Sequence, residues 1–526
     1  MKHSKTKVHK LLSQFDELKW KITYKGLLCG AIAGLLAVLY RLIIEIGNDT
    51  AIKIYAFLKL KPLFILPWIL LIGGIGLVIA ILIKIEPMAS GSGIPQVEGV
   101  LLYGLKMKWK LVLFVRFVGG TLAAFCGLSL GREGPSIQVG AACGQALAEN
   151  ISNGGLEENY LVTGGAAAGL SAAFNAPLAA IIFTLEEVHR TFSPFVLIAA
   201  TTAALTADFI SKYFFGLKPV LSFTSIAQLP VRYYLWLIPL GIISGISGVI
   251  INKTLLGFQS LYNALPRYSR PCIALLIALP CGIFLPEILG GGQNLIKISE
   301  SATSGIFLLL IYFIFKILFT STSFGSGIPG GIFMPILAIG ALSGSAFGII
   351  ATHFSLPMEY IPGFTVCAMA GALSASIKAP VTSILLIAEM TGSFLHILPV
   401  AVCSFIALLF SDMLKITPLY ETLLERFAEK NGNEIPVKEK GGLLEVPVEL
   451  GSSVANKKIS EVKWPPGVLI VGLRRGQKEI VPNGKTKIIQ GDYLVVLSAV
   501  DMEEDTDVSV KELCQAEQCP DSIELE

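Results

Sequence analysis

The pentapeptide GREGP at residues 131–135 decides the fold, because it has a counterpart, GIFMP, at residues 331–335. Two further matches follow at nearly the same offset: LSAAFNAP at residues 170–177 with LSASIKAP at residues 373–380, and GSGIP at residues 91–95 with GGGQN at residues 290–294. Three matches in one order predict an internal repeat. Each copy also contains short apolar segments interrupted by Gly and Pro. Paired broken segments predict a site near the middle of a bilayer.

The composition places the chain in a membrane. Of its 526 residues 53% are hydrophobic and 15% are charged, which is too apolar for a water-soluble protein of this length. Apolar runs long enough to cross a hydrocarbon layer of roughly 30 Å recur at residues 26–44, 62–83, 195–210, 235–251, 304–318 and 397–410. We therefore predict an α-helical membrane protein of tilted and broken helices, with two repeats at residues 25–215 and 230–417. A basic N-terminus and a soluble C-terminal domain both prefer the cytosol, so the number of crossings is even, which permits two inverted repeats of odd count.

Both termini are predicted to be cytoplasmic. Residues 1–24 begin with several Lys and His side chains before the first apolar run, and the positive-inside rule keeps such a segment in the cytosol. The segment has no cleavage-site pattern, so it is not expected to be a signal peptide. A net charge of +3 gives no indication of nucleic-acid binding, and the nine cysteines show no disulfide or metal-site spacing.

A soluble α+β domain is predicted after the membrane region, which extends to residue 425. Residues 426–442 form a polar linker, residues 443–500 the domain, and residues 501–526 an acidic segment predicted to be disordered. Alternating apolar and polar residues predict four strands and one brief helix. The strands are expected at residues 443–450, 468–474, 478–481 and 492–498, and the helix at residues 454–459.

Three Gly- and Pro-rich motifs have the features of an anion site. An anion inside a bilayer must exchange its hydration shell for donors of little net charge, and the free amides of helix N-termini provide them. Glycine allows close backbone approach, a small hydroxyl adds a donor, and proline suits the first helical turn. These features combine in GSGIP at residues 91–95, GREGP at 131–135 and GSGIPGGIFMP at 325–335.

Together with EE at residues 186–187 and PLY at residues 418–420, these motifs resemble the CLC chloride channels and transporters over about three quarters of the chain. The resemblance implies a homodimer with a separate pore in each subunit. It also implies roles for seven residues: Ser92, Gly93 and Tyr420 around the chloride, backbone amides of Ile332 and Phe333 coordinating it, Glu133 as the gate, and Glu187 as the inner proton-transfer glutamate.

Glu133 also suggests a gate on physical grounds. A carboxylate at an anion site is a tethered competitor, which occupies the site when ionised and leaves it when protonated. One residue could thereby couple protons to anions. The alternative is an acidic side chain that merely stabilises the helix dipole.

The other candidate residues have structural alternatives. Glu186 could be a solvated charge at the membrane edge, and the repeat-equivalent Glu389 is expected to be structural. Ser92 could be a helix N-cap and Tyr420 an interfacial anchor. Arg132 and Arg116 could draw anions into a vestibule, although a paired or snorkelling arginine is commoner.

The C-terminal domain resembles the TrkA-C domain of regulators of potassium conductance, from about residue 442 to 499. Such domains dimerise and often bind small ligands, so a regulatory ligand, for example a cyclic dinucleotide, is one expectation. A passive dimerisation cap is the alternative.

The sequence predicts a chloride/proton antiporter in a bacterial inner membrane, with chloride as substrate and no cofactor or metal. A passive chloride channel of the same fold is the alternative. A fluoride/proton antiporter is less favoured because GSGIP keeps its serine. A membrane enzyme or a non-transport sensor is also disfavoured, since no metal-spaced histidines, nucleophile elbow or phosphate-binding lysine loop occur.

Overall fold

The computed structural model describes two compact units, Met1–Phe427 and Ala428–Glu526. It describes residues 2–514 except 153–154, 191–192, 222, 224–225, 302–304, 355, 432–442, 450–451, 466, 476–477, 499–509 and 511. The first unit is helical, and the second contains a small sheet.

The helices of the described residues are α1 (Lys2–Leu60), α2 (Ile65–Ile85), α3 (Ile94–Tyr103), α4 (Trp109–Phe125), α5 (Glu133–Ile151), α6 (Gly155–Phe174), α7 (Pro177–Phe183), α8 (Pro194–Phe215), α9 (Leu237–Asn263), α10 (Ser269–Phe284), α11 (Gln293–Ser301), α12 (Ile306–Gly325), α13 (Phe333–Thr352), α14 (Ile361–Ile377), α15 (Pro380–Thr391), α16 (Ile397–Met413) and α17 (Leu419–Asn431). A single π-helical turn, Thr184–Val188, continues α7. Eight helices of the described chain are long and apolar enough to cross a membrane.

Every apolar run predicted to cross the membrane falls on one of these helices, and the predicted N-terminal segment 1–24 is continuous with the first of them in α1. The sequence analysis missed two spans, α13 and α14. Both are rich in Gly, Ala and Ser, and both are almost wholly enclosed by other helices. Their small residues serve close packing, so they lack the long aliphatic runs that identify lipid-facing spans.

The repeat is visible in the packing of the helices. α5 packs on α6 as α13 packs on α14, and α6 packs on α8 as α14 packs on α16. Small residues let these backbones approach: a Cβ added to Gly144 would lie 2.7 Å from the carbonyl carbon of Leu161, and one added to Gly344 would lie 2.8 Å from the carbonyl oxygen of Phe364. Inside a membrane the hydrophobic effect does not drive helices together, so close van der Waals contacts between small residues stabilise their packing instead.

The C-terminal unit is a four-stranded antiparallel sheet in the order β1-β4-β2-β3. Its strands are β1 (Leu443–Pro447), β2 (Val468–Arg475), β3 (Lys478–Ile480) and β4 (Asp492–Ser498). Val446 lies opposite Leu494, and Leu473 lies opposite both Leu494 and Ile480. The inward side chains form a core of their own. The predicted strands were therefore correct apart from their ends: β1 stops at Pro447.

Two predictions for this unit were wrong. The expected helix at residues 454–459 is a series of turns, because Asn456 adopts a left-handed φ of 65° and the chain bonds across to Ile488 instead of along itself. The acidic segment 501–526 was expected to be disordered, yet Val510 and Cys514 are buried in the core of this unit. The Cys514 carbonyl also accepts the backbone N–H of Glu449. The other residues of that segment lie outside the described residues, apart from those at 512 and 513.

Candidate functional site

The loops that precede α5 and α13 meet at the centre of the membrane unit. Gly131 and Gly331 exchange two backbone hydrogen bonds of 2.7 Å, and the two segments run antiparallel. The loop before α3 joins them, since Gly91 donates to Gly327 and accepts from Gly330. Glycine is required here, because a Cβ on Gly331 would lie 3.0 Å from the Gly134 nitrogen. The three motifs singled out in the sequence therefore form one assembly.

Three helices begin at this assembly. Gly93, Arg132 and Ile332 precede α3, α5 and α13, and none of these three residues caps its helix with its own side chain. Each helix has a proline in its first turn, which removes one amide without breaking the helix. The remaining N–H groups and the positive ends of the helix dipoles favour an anion. Gly93 has a φ of 95°, so it lets the backbone turn sharply into α3.

Glu133 lies at the start of α5 and is 1% exposed. Its side chain folds back over Gly131, close to the backbone amides of Arg132 and Met334. Its Oε2 atom has no hydrogen-bond partner among the described residues. A cavity of about 220 Å³ reaches the residue, lined by α1, by residues 130–133 and by the GGGQN loop. The carboxylate therefore lies between this cavity and the buried helix starts.

Ser92 and Tyr420 bring two hydroxyl groups to the buried side of this assembly. Both residues are almost inaccessible, and within the described chain neither hydroxyl makes a hydrogen bond. Ser92 Oγ lies against the α carbon of Gly134, and the Tyr420 ring stacks on Phe333 with 6.3 Å between centroids. The two hydroxyls lie close to one another, and both Glu133 and Glu187 act electrostatically on Tyr420. Buried polar groups without partners are uncommon and indicate a ligand site.

The proposed arginine funnel is not supported by the geometry. Arg116 is fully buried away from the cavity, where it donates to the Gly91 carbonyl at 2.5 Å and to Gln138. It therefore holds the loop before α3. Arg132 does line the cavity, but its guanidinium pairs with Glu45 at 2.5 Å. Both arginines are therefore paired, which the sequence analysis gave as the commoner case, and the alternative of a vestibule that draws anions is not supported.

Glu187 lies in the π-helical turn after α7 and is 5% exposed. Its neighbours include Arg190, at 3.9 Å, and the buried Glu98 of α3. Arg190 also pairs with Glu98 at 2.8 Å and lies 3.8 Å from Glu421, which follows Tyr420. Arg190, Glu98, Glu187 and Glu421 thus form a second cluster of charged groups, next in sequence to Tyr420 through Glu421.

Glu186 and Glu389 have a structural function that the sequence reading assigned only to Glu389. Glu186 accepts the backbone N–H of Thr382 at 2.8 Å and its hydroxyl at 2.6 Å, at the start of α15. Glu389, at the end of α15, accepts the N–H of Ala179 at 2.8 Å, at the start of α7. Each helix therefore supplies the N-terminal cap of its repeat mate. The interpretation of Glu186 as a solvated charge is wrong.

The structure gathers Ser92, Gly93, Glu133, Ile332, Phe333 and Tyr420 around one point, with Glu187 in a neighbouring cluster. The sequence reading missed Glu98 and Arg190. Glu98 could have been noticed as a carboxylate in the apolar segment that follows GSGIP, since buried charge in a membrane is costly and usually functional. Arg190 carried no signal, because two of its carboxylate partners, Glu98 and Glu421, come from distant segments. Among the described residues, no cluster of His, Cys, Asp and Glu suited to a metal ion is found.

Comparison with known proteins gives two family matches. The voltage gated chloride channel family matches residues 73–412, and the TrkA-C domain matches residues 443–505. The H(+)/Cl(-) exchange transporter ClcA of Salmonella schwarzengrund is 35% identical over 447 residues, which cover 82% of this chain and 93% of that protein.

Two solved structures share the fold. A slow cyanobacterial Cl⁻/H⁺ antiporter superposes with a TM-score of 0.73 and 29% identity, covering 78% of this chain and 99% of that one. A CLC-type fluoride/proton antiporter superposes with a TM-score of 0.62 and 25% identity, covering 75% of this chain and 95% of that one.

Proposed function

Because the chain belongs to the voltage-gated chloride channel family and carries a C-terminal TrkA-C domain, we propose that it is a chloride/proton antiporter. Chloride is the substrate, and no cofactor takes part. The observation that carries the proposal is the convergence of three helix starts on two buried hydroxyls that have no hydrogen-bond partner among the described residues. Such donors replace hydration water without a fixed positive charge, so the ion is bound but can leave.

Chloride would lie among the hydroxyls of Ser92 and Tyr420 and the amides of Ile332 and Phe333, with Gly93 allowing the close approach. The stacking of Tyr420 on Phe333 supports this set, because it keeps the hydroxyl near the start of α13. Aromatic side chains enclose Phe333 on its other sides, with Phe174 and Phe183 at 6.0 and 5.6 Å. An apolar wall of this kind excludes water and strengthens the remaining polar contacts.

Glu133 would be the gate and the outer proton carrier. Its position against the amides of Arg132 and Met334 supports this, since an ionised carboxylate there takes the place of an anion at the same donors. When protonated, the side chain has no charge to hold it at the helix starts, and it can swing into the cavity beside it. Chloride entry then requires a proton on Glu133, which is the coupling step.

Glu187 would be the inner proton carrier. It is buried, it lies in a cluster of carboxylates, and it is near enough to Tyr420 to act on it electrostatically, as Glu133 is. Two carboxylates on either side of one anion site give the proton a separate inner route, which favours exchange over passive conduction. A passive channel would need both gates to open together.

The test is the reversal potential of the purified protein in liposomes under opposed chloride and proton gradients. An antiporter gives a reversal potential that moves when the proton gradient alone is changed. A potential that follows chloride and ignores pH would establish a passive channel instead. Repeating the measurement with fluoride in place of chloride tests the remaining alternative of the same fold.

Assembly and location belong to the same proposal. The chain would form a homodimer with one pore per subunit, in a bacterial inner membrane with both termini in the cytoplasm. Chemical cross-linking in native membranes would give the subunit number. Accessibility of a tag at each terminus in sealed, right-side-out vesicles would give the orientation.

The TrkA-C domain would act as a regulatory unit that binds a small ligand such as a cyclic dinucleotide. Its separate core supports a domain that folds independently of the membrane unit. Calorimetry of the isolated domain with candidate dinucleotides is the test. Absence of binding heat, together with dimerisation of the domain in solution, would favour the passive dimerisation cap.

A further inference from the structure

Arg190 joins three carboxylates at the inner end of the proposed proton route. Its Nη2 atom lies 2.8 Å from Glu98 Oε1 and 3.9 Å from Glu187 Oε1, and its Nη1 atom lies 3.8 Å from Glu421 Oε1. The residue follows the π-helical turn with a φ of 53°, in the left-handed region that side chains other than glycine rarely adopt. Residues held in this region often have a functional constraint.

The charged groups around Arg190 come from three elements. α3 contributes Glu98 and Tyr103, the π-helical turn contributes Glu186 and Glu187, and α17 contributes Glu421 and, through Tyr103, Glu425. Glu186 accepts donors from the start of α15, so its charge is already satisfied there. Among the charged side chains that act on Glu187 in the described chain, Arg190 is the one cation.

The unequal distances decide how Arg190 acts. Glu98 and Glu187 are both almost fully buried, and two buried carboxylates near one another would share a proton if no cation lay beside them. At 2.8 Å the guanidinium forms a close ion pair with Glu98, whereas at 3.9 Å it lies beyond hydrogen-bond distance of the Glu187 carboxylate. Glu98 is therefore the partner that stays ionised.

We propose that Arg190 is a positioning residue for proton transfer: it fixes Glu98 as an ion pair and leaves Glu187 as the single inner carboxylate that gains and loses a proton. The inference rests on the proposed role of Glu187 in chloride/proton exchange. Glu421, which adjoins Tyr420, lies 3.8 Å from the same guanidinium, so it is an electrostatic neighbour of this ion pair without a hydrogen bond to it.

A purely structural role for Arg190 is the competing explanation. Its Nε atom donates to the Glu187 carbonyl at 3.3 Å, so the side chain also fastens the π-helical turn. The two explanations differ in one respect. If the charge of Arg190 matters, removing the competing Glu98 carboxylate should restore the chloride-to-proton ratio that is altered by loss of Arg190. If only the backbone contact matters, removing Glu98 cannot restore this ratio.

The experiment uses the full-length protein in liposomes and measures the chloride-to-proton ratio from reversal potentials at several internal pH values. In Arg190→Gln, Glu98 and Glu187 share a proton. We expect proton flux per chloride to fall by about tenfold, the factor that one unit of proton affinity represents. In Glu98→Gln/Arg190→Gln we expect the ratio to return towards that of the wild type. Arg426→Gln is the matched control, because Arg426 binds Leu256 and Gln259 and should leave the ratio unchanged.

Two results would overturn the proposal: a wild-type ratio in Arg190→Gln, or a double variant as uncoupled as Arg190→Gln. If Arg190→Gln does not fold, Arg190→Lys carries the test, because an ammonium keeps a cation for Glu98 but lacks the Nε donor to the Glu187 carbonyl. It should keep the wild-type ratio, and a lowered ratio in this variant would overturn the proposal in favour of the structural role. A wild-type protein whose reversal potential ignores pH would instead refute the antiport function and this inference with it.

Discussion

Two pairs of repeat-related helices begin in opposite ways. α7 and α15 each receive a glutamate from the other, with Glu389 bonded to Ala179 and Glu186 bonded to Thr382. The residues before α5 and α13 provide no side-chain cap, and the two loops are joined through Gly131 and Gly331. At the helix starts that serve only the fold, a glutamate from the other repeat accepts the amides. At the helix starts proposed to bind the anion, the nearest carboxylate is that of Glu133, which the proposal makes a movable gate.

The largest expected effect comes from removing that titratable carboxylate. Glu133→Ala should abolish proton movement and leave chloride uptake, because the helix starts remain but nothing tethered competes with the anion. Isotopic chloride uptake into proteoliposomes, with proton flux recorded in parallel, measures both. Coupled uptake at the wild-type ratio in this variant would show that Glu133 is a cap like Glu186 and Glu389, and the contrast between the two pairs would disappear.

The next effect concerns the permanent caps. Glu186→Ala and Glu389→Ala each leave buried amides without a charged acceptor, which should lower the free energy of unfolding by about 1.5–3 kcal/mol. Thermal unfolding in mild detergent measures the loss, with the exposed Glu429→Ala as control. The chloride-to-proton ratio should not change in either variant. An altered ratio at full stability would mean that the caps also take part in transport.

A smaller effect is expected at the hydroxyl donors. Tyr420→Phe keeps the stacking on Phe333 and removes one hydrogen bond to the anion, at a cost of about 1.5 kcal/mol, or about tenfold in chloride affinity. Ser92→Ala should act in the same direction. Chloride binding measured by calorimetry on the detergent-solubilised protein tests both. Unchanged chloride affinity in the double variant Ser92→Ala/Tyr420→Phe would show that the hydroxyls do not bind the anion and that the backbone amides alone do.

The smallest effect should distinguish the two caps from one another. Glu186 accepts a hydroxyl from Thr382 in addition to amides, whereas the bonds that Glu389 accepts at the start of α7 come from backbone amides. Thr382→Val should therefore cost about 1 kcal/mol. It should also bring the stability loss of Glu186→Ala close to that of Glu389→Ala. Equal losses before this substitution would show that the hydroxyl adds nothing.

The architecture could be predicted from the sequence because glycines and prolines, which have strict backbone requirements, mark both copies of the repeat. The glycines of GREGP and GIFMP permit contacts that a Cβ would prevent, and the prolines mark the helix starts, so both motifs could be aligned without knowledge of the fold. Prediction failed where small residues concealed buried spans, as in α13 and α14. It also failed where a local pattern was overruled by long-range bonding, as in the turns that follow Ser453.

The residues of the candidate site could be predicted from the sequence, but the partners of its charged side chains could not. Ser92, Glu133, Phe333 and Tyr420 lie in recognisable motifs, and the structure brings them together. Pairing was expected as the commoner case for Arg116 and Arg132, but their partners, Gly91 and Glu45, could not be identified from the sequence. An arginine looks the same in a sequence whether its charge is free or paired.

By itself the sequence determined that this chain spans a membrane in two related halves, and which residues could meet an anion, because hydrophobic length, glycine and proline act locally. Only the tertiary structure decided which charges remain free. Glu186 became a cap, Arg132 an ion-pair partner of Glu45, and Glu187 the neighbour of a guanidinium held mainly by Glu98. The physical reason is that a charge buried in a membrane takes its role from the partner within a few ångströms, and these partners lie far away along the chain.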